Sequence, residues 1–192
     1  MPLSTLKMPA TATLTSDQFY DLCRANPQWQ LERTAQGDLV VCDPTDEAIG
    51  RRKAHLLIQI GIWNERHQLG TVFDSSTSFH LPNGAARSPG LAWIHGERWN
   101  QLPLSERQNF PSLAPDFVME LISRKEDMAE VQAKMQEYAD NGVQLGWLMN
   151  FCTRQVEVYR PGLHKQVLRQ PNQLSGDPLL PGFVLKLSGF WY

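Results

Sequence analysis

A chain of 192 residues with 42% hydrophobic and 20% charged side chains has the composition of one globular domain with a sizeable core. A formal net charge of -2 excludes a molecule-wide basic field, so any contact with nucleic acid has to be local. Three scattered cysteines (Cys23, Cys42 and Cys152) offer neither a disulfide framework nor zinc-site spacing, and no apolar run is long enough to cross a bilayer; a cytoplasmic protein is the expectation.

Residues 1–14, rich in Thr, Pro and Ala, read as a loose arm without an apolar secretory core. Ser16 and Asp17 start a helix with Phe19, Leu22 and Cys23 on one stripe, ended by Asn26-Pro27. Leu31 and Arg33, the turn at Gln36-Gly37, and Leu39 to Val41 predict a hairpin. Positions 46–67 read as a long helix buried through Ala54, Leu57, Ile58, Gly61 and Ile62, with Gly70 just beyond its end. Short strands follow at 71–73, 78–81 and 91–94, the second closed by the turn Pro82-Asn83-Gly84. A polar connection over 95–112 leads to a strand at 117–122. A second helix covers 126–140, with Met128, Val131, Met135 and Tyr138 inward and Asn141-Gly142 as its stop. Strands at 143–149 and 155–159 precede a C-terminal strand extension, 163–192, with a last strand at 183–187. The order predicts one α/β (α+β) domain over 1–192.

The chemistry centres on the strand at 117–122. Glu120 stands among Phe117, Val118, Met119, Leu121 and Ile122, and an ionised carboxylate taken from water costs several kcal/mol unless paired, neutralised or bound to metal. Lys134 follows Val131 by three and precedes Tyr138 by four, which puts it on the core-facing side of its helix; it either serves a site or carries its charge out to solvent. Asp116 shares a strand face with Glu120 but lies ~13 Å away at ~3.3 Å per residue. Both cannot ligate one ion at ~2.0–2.6 Å unless the strand bends. Glu32, on the first hairpin, is either a further acid in the same cleft or half of a solvent-facing ion pair. The run Arg51-Arg52-Lys53 with His55 suits a phosphate backbone or simple solvation. The five histidines lack metal-ligand spacing, and neither a phosphate loop nor a nucleophile elbow occurs.

The combination Ser88-Pro89-Gly90-Leu91-Ala92-Trp93-Ile94, Ala114-Pro115-Asp116-Phe117-Val118-Met119-Glu120-Leu121-Ile122-Ser123, Lys134 with Tyr138, Asn141-Gly142, Gly146-Trp147-Leu148 and Val156 to Gly162 resembles the putative restriction endonuclease family of the PD-(D/E)XK nuclease superfamily. The resemblance spans about 16–162. It implies a restriction-endonuclease-like mixed sheet flanked by helices, DNA as the partner, Mg²⁺ or Mn²⁺ as the cofactor, and a possible homodimer. Glu120 matches the second-strand acid. Ile122 stands where the motif's lysine is expected, and Lys134 matches the relocated lysine. Glu120 and Asp116 are the candidate metal ligands, and Glu120, Lys134 and Glu32 the candidate catalytic residues. Gly90 stands where members usually carry aspartate. Two readings stay open: a metal-dependent endonuclease hydrolysing DNA, or a nuclease-like fold that has lost catalysis and serves nucleic-acid binding or assembly. A metal-dependent hydrolase of small phosphodiesters is a third.

Overall fold

The computed structural model describes residues 4–9, 12–42, 47–107, 109–122 and 128–191. In chain order, β1 is Ser4–Leu6, α1 Ser16–Ala25, β2 Gln30–Arg33, β3 Leu39–Cys42, α2 Glu47–His67 and β4 Gly70–Asp74. Then come β5 Phe79–His80, β6 Ala86–Arg87, β7 Leu91–His95, α3 Gly96–Gln101, α4 Leu104–Arg107 and β8 Phe117–Ile122. The chain closes with α5 Met128–Asp140, β9 Leu145–Asn150, β10 Gln155–Tyr159, β11 Gln166–Arg169, β12 Gln173–Ser175 and β13 Val184–Lys186.

Apolar runs without a polar face belong where both sides of a sheet are covered. The runs in β7, β8 and β9 lie inside a six-stranded sheet of order β11-β10-β9-β8-β7-β4. β8 and β9 pair in parallel, so the chain between them has to cross over, and α5 is that crossover. One face of the sheet (Trp93, Phe117, Met119, Trp147, Met149, Val156) packs on α2 and the β12–β13 hairpin. The other (Ala92, Ile94, Val118, Ile122, Leu148) packs on Val131, Met135 and Tyr138 of α5. A second, antiparallel sheet of order β1-β3-β2-β6-β5 lies beside that second layer. The fold is α+β, as its element order predicts.

Several expectations change. The segment read as a loose arm contributes β1, paired with β3 from Ser4↔Val41 to Leu6↔Leu39, which gives an edge strand its backbone partners. The expected α2 stripe is displaced to Ile49, Leu56, Ile60 and Trp63, leaving Ile58 and Ile62 58% and 49% exposed. Bulk decides this. Trp63 meets Trp93 and Phe183 at ring separations of 5.9 and 5.5 Å and donates its indole N–H to the Pro181 carbonyl at 3.0 Å. Alanine and glycine on the expected face have no comparable area to bury. Gly70, just beyond the end of α2 as expected, opens β4, where a β-carbon would sit 2.2 Å from the Ile94 carbonyl oxygen. The connection expected to be irregular carries α3 and α4, which bury no residue and so leave no apolar periodicity to read. The starts expected at 46 and 126, and Ser123, lie outside the described residues. Among the described residues no helix is long and apolar enough to cross a membrane.

Candidate active site

Four elements bring the site together. β8 pairs with β7 through Leu91↔Met119, so Gly90, one step earlier, stands opposite Glu120. The alternation that points Val118 and Ile122 at α5 points Glu120 there too. Lys134 and Tyr138, one turn apart on α5, face it. From the second sheet, β2 contributes Glu32.

Lys134 is the hub. Its Nζ lies 2.7 Å from Glu120 Oε1 and 2.6 Å from Glu32 Oε1, and donates to the Ser88 carbonyl at 3.4 Å. Glu32 also accepts from the Ser88 N–H at 2.9 Å and from Arg87 Nη1 at 3.2 Å. Arg87 turns its Nε to Glu137 Oε2 at 2.6 Å. The Tyr138 hydroxyl donates to Glu120 Oε1 at 3.5 Å, and the Gly90 N–H to Glu120 Oε2 at 3.3 Å. Glu32, Glu120 and Glu137 are thus set against Lys134 and Arg87, three acids to two bases, all largely buried.

The environment fixes the charge states. Burial pushes the Glu32 carboxyl up, but Lys134 and Arg87 with the hydrogen bonds from Lys134 and Ser88 outweigh it and hold the group below the usual carboxylate range. Burial opposes the Lys134 ammonium, and Glu120 and Glu32 more than compensate, holding it well above the usual lysine range. Lys134 is therefore a fixed cation and not a proton acceptor at neutral pH. Burial first, then Glu120 and Glu32, keep Tyr138 a neutral phenol. Cys42, on the same β3 stretch that pairs with β2, is pushed up to about 12, mainly by burial, and stays a thiol.

Glu120, Lys134 and Glu32 thus share one cluster. Asp116 does not join it. At the start of β8 it accepts from the His95 N–H at 2.8 Å and from Arg98 Nη1 at 2.5 Å, while Arg98 Nη2 donates to the Ala114 carbonyl at 3.1 Å. It clamps the strand entrance. Arg87, Ser88 and Glu137 were not singled out from the sequence. Only the position of Glu137, three residues after Lys134 on the same helical face, hints at it.

A resident divalent ion does not fit this donor set. Mg²⁺ is held by carboxylate, carbonyl and water oxygens, whereas the atoms surrounding Glu120 are donors: Lys134 and Tyr138 at Oε1, the Gly90 N–H at Oε2. Both oxygens of Glu32 are engaged by Lys134, Ser88 and Arg87. Gly90 has no side-chain oxygen, although a β-carbon built there would lie 3.5 Å from Glu120 Oε2. Among the described residues no group of three or more His, Cys, Asp or Glu is placed to hold a metal. The basic run lies elsewhere, on α2, across the central sheet from the cluster.

The model of a family described as Uma2, putative restriction endonuclease, matches residues 16–188. No curated protein matches. A crystal structure of a putative nuclease belonging to DUF820 from Anabaena variabilis is similar with a TM-score of 0.76, over 93% of this chain and 97% of that one, at 19% identity. At that identity the likeness is one of fold.

Proposed function

The chain belongs to the family described as Uma2, putative restriction endonuclease, and on that premise we propose that it engages DNA through a nuclease fold whose hydrolytic centre is closed. The observation that carries the reading is Gly90. Where the family resemblance calls for an aspartate, the backbone offers an N–H to Glu120, and the Lys134 ammonium fills the space between Glu120 and Glu32. Families of this kind generally use divalent metals, which would screen the scissile phosphate and generate the attacking hydroxide. This chain keeps the acid and the lysine of that arrangement without the partner acid.

One observation favours a second reading. Glu120, Lys134 and Glu32 converge from three elements, Lys134 and Glu32 being separated by 102 positions. Under this reading the chain is a Mg²⁺- or Mn²⁺-dependent endonuclease hydrolysing DNA phosphodiester bonds, cytoplasmic and paired as a homodimer to meet both strands. Glu120 and a second acid would then hold the ion, and Lys134 would stabilise developing charge.

Plasmid nicking in Mg²⁺, Mn²⁺ and EDTA, with Glu120→Ala in parallel and duplex binding measured by fluorescence anisotropy, separates the two. The closed-centre reading expects DNA binding of equal strength in Mg²⁺ and EDTA and no metal-dependent nicking above the Glu120→Ala background. Nicking that needs metal and disappears in Glu120→Ala establishes the second reading instead. Absence of DNA binding in every buffer removes the first.

A further inference from the structure

Across the central sheet from the acid–lysine cluster, the C-terminal tail and α2 line an open cavity of about 210 Å³. Its walls are Arg51, Arg52, His55, Ser188, Gly189 and Phe190. The tail is pinned there: Leu187, Phe190 and Trp191 are buried in the core, and the Trp191 indole N–H donates to the Pro171 carbonyl at 3.1 Å. The turn closed by the Phe190 N–H on the Leu187 carbonyl, with Gly189 at φ +73°, lays Ser188 and Gly189 along the rim.

Among the described residues, no acid is paired with the two arginines of this cavity, and Glu47, one helical turn before Arg51, is not joined to it. Arg52 is held by its guanidinium, 4.3 Å over the Phe151 ring. Its Nε is buried without a hydrogen-bond acceptor. A buried donor left unsatisfied costs about 1–3 kcal/mol, so such groups in native proteins are met by a partner. Two guanidiniums lining one pocket suit a planar or tetrahedral oxyanion that can accept N–H bonds from both. The His55 ring, 5.5 Å from Phe190, adds a donor and an aromatic wall. At about 30 Å³ per water, the cavity of about 210 Å³ has room for a phosphate with part of a sugar.

We propose that this cavity binds a terminal phosphate monoester, with Arg51, Arg52 and His55 holding the phosphate oxygens and the Ser188-Gly189 turn closing over them. The same chemistry is offered by the 5′-phosphate end of a nucleic acid and by a free mononucleotide. The site needs no metal and is separate from Glu120, so it stands whether or not the hydrolytic centre is closed.

The test is titration of the full chain by calorimetry and by backbone amide NMR with inorganic phosphate, dAMP, and a short duplex with or without a 5′-phosphate. Shifts confined to 51–55 and 188–190 are expected. Arg51→Ala, an exposed change that leaves packing intact, weakens phosphate binding by about tenfold, as does Arg52→Lys, which keeps the charge and the folded state but loses the planar fork. Arg169→Ala, which removes the same charge from exposed β11, leaves binding unchanged. Equal affinity for dAMP and the phosphorylated duplex identifies a free nucleotide as the source; preference for the phosphorylated duplex identifies a nucleic-acid end. Binding that ignores the 5′-phosphate, or that falls as far in Arg169→Ala as in Arg51→Ala, overturns the proposal.

Discussion

Restoring the missing acid, Gly90→Asp, tests the account of the centre most directly. The backbone at Gly90 is not left-handed, so aspartate meets no torsional barrier there. Its β-carbon would, however, sit 2.9 Å from the Met119 carbonyl oxygen, forcing a small displacement, and 3.5 Å from Glu120 Oε2. Overpacking of that order costs ~1–3 kcal/mol. Two carboxylates ~4 Å apart at an effective dielectric near 20 repel by roughly 4 kcal/mol, less what Lys134 and solvent screen. In EDTA the variant is therefore less stable than the parent by about 2–5 kcal/mol, or ~4–20 °C in Tm at ~2–4 °C per kcal/mol. A divalent ion then has a carboxylate pair to bind. At about a hundredfold excess over Kd it returns ~2.7 kcal/mol, a rise of ~5–11 °C. Differential scanning fluorimetry of parent and variant in EDTA, Mg²⁺ and Mn²⁺ reads both effects. The parent shows no metal-dependent rise. A variant with the same Tm in EDTA and in saturating Mn²⁺ would refute the idea that only the position-90 acid separates this centre from a metal site.

Other perturbations follow from the same geometry. Lys134→Met removes the hub and strands Glu120 with two weak donors, so equilibrium denaturation at neutral pH shows a loss of about 3–5 kcal/mol; a loss under 1 kcal/mol would mean the cation adds little. Glu32 titrates below the usual carboxylate range when folded, so its contribution is present above the unfolded carboxylate pKa and lost as pH falls through the lower folded value. Glu32→Gln accordingly flattens the acid limb of the stability profile below about pH 4.5, and an unchanged limb would contradict the depressed pKa. Trp63→Ala opens the α2–sheet contact and costs about 3–5 kcal/mol by urea denaturation; a loss near zero would show that α2 is held by other contacts.

What the sequence discloses depends on the range of the contacts. Glu120 stands out because an ionisable residue in an unbroken apolar strand is unusual on its own, and Lys134 because helical spacing ties it to Val131 and Tyr138. The central strands are similarly plain, since β7, β8 and β9 carry no polar face. Glu32 is different. Its partner is 102 residues away, and its place on the first hairpin leaves a cleft acid and a solvent-facing ion pair equally open. Arg87 is silent, and Glu137 is marked only by its helical spacing from Lys134, because their pairing is set by how the second sheet meets α5. The α2 stripe was misplaced for a related reason: two apolar faces compete along that helix, and the aromatic surface of Trp93 and Phe183, distant in sequence, selects the one bearing Trp63. Asp116 reads as a candidate ligand because it shares a strand face with Glu120, but Arg98 on α3, an element invisible in the sequence, occupies it.

The cluster also explains why an acid–lysine centre can outlast the loss of its partner acid. Glu32 belongs to β2, Arg87 to β6, Lys134 and Glu137 to α5, and Glu120 to β8, so these side chains form a polar seam between the two sheets. Removing any one member leaves a buried charge without its counterpart, which costs more than the pair contributes. An aspartate at position 90 is the exception, because without a bound cation it raises the count from three acids against two bases to four against two. Gly90 therefore suits a metal-free seam, and the remaining members stay coupled. A double-mutant cycle over Glu32→Gln and Lys134→Met measures that coupling: urea denaturation of the two single variants and the double variant gives an interaction energy of roughly 1–3 kcal/mol. Additive losses, with no interaction energy beyond error, would mean that Glu32 and Lys134 act independently and that the seam is not a unit.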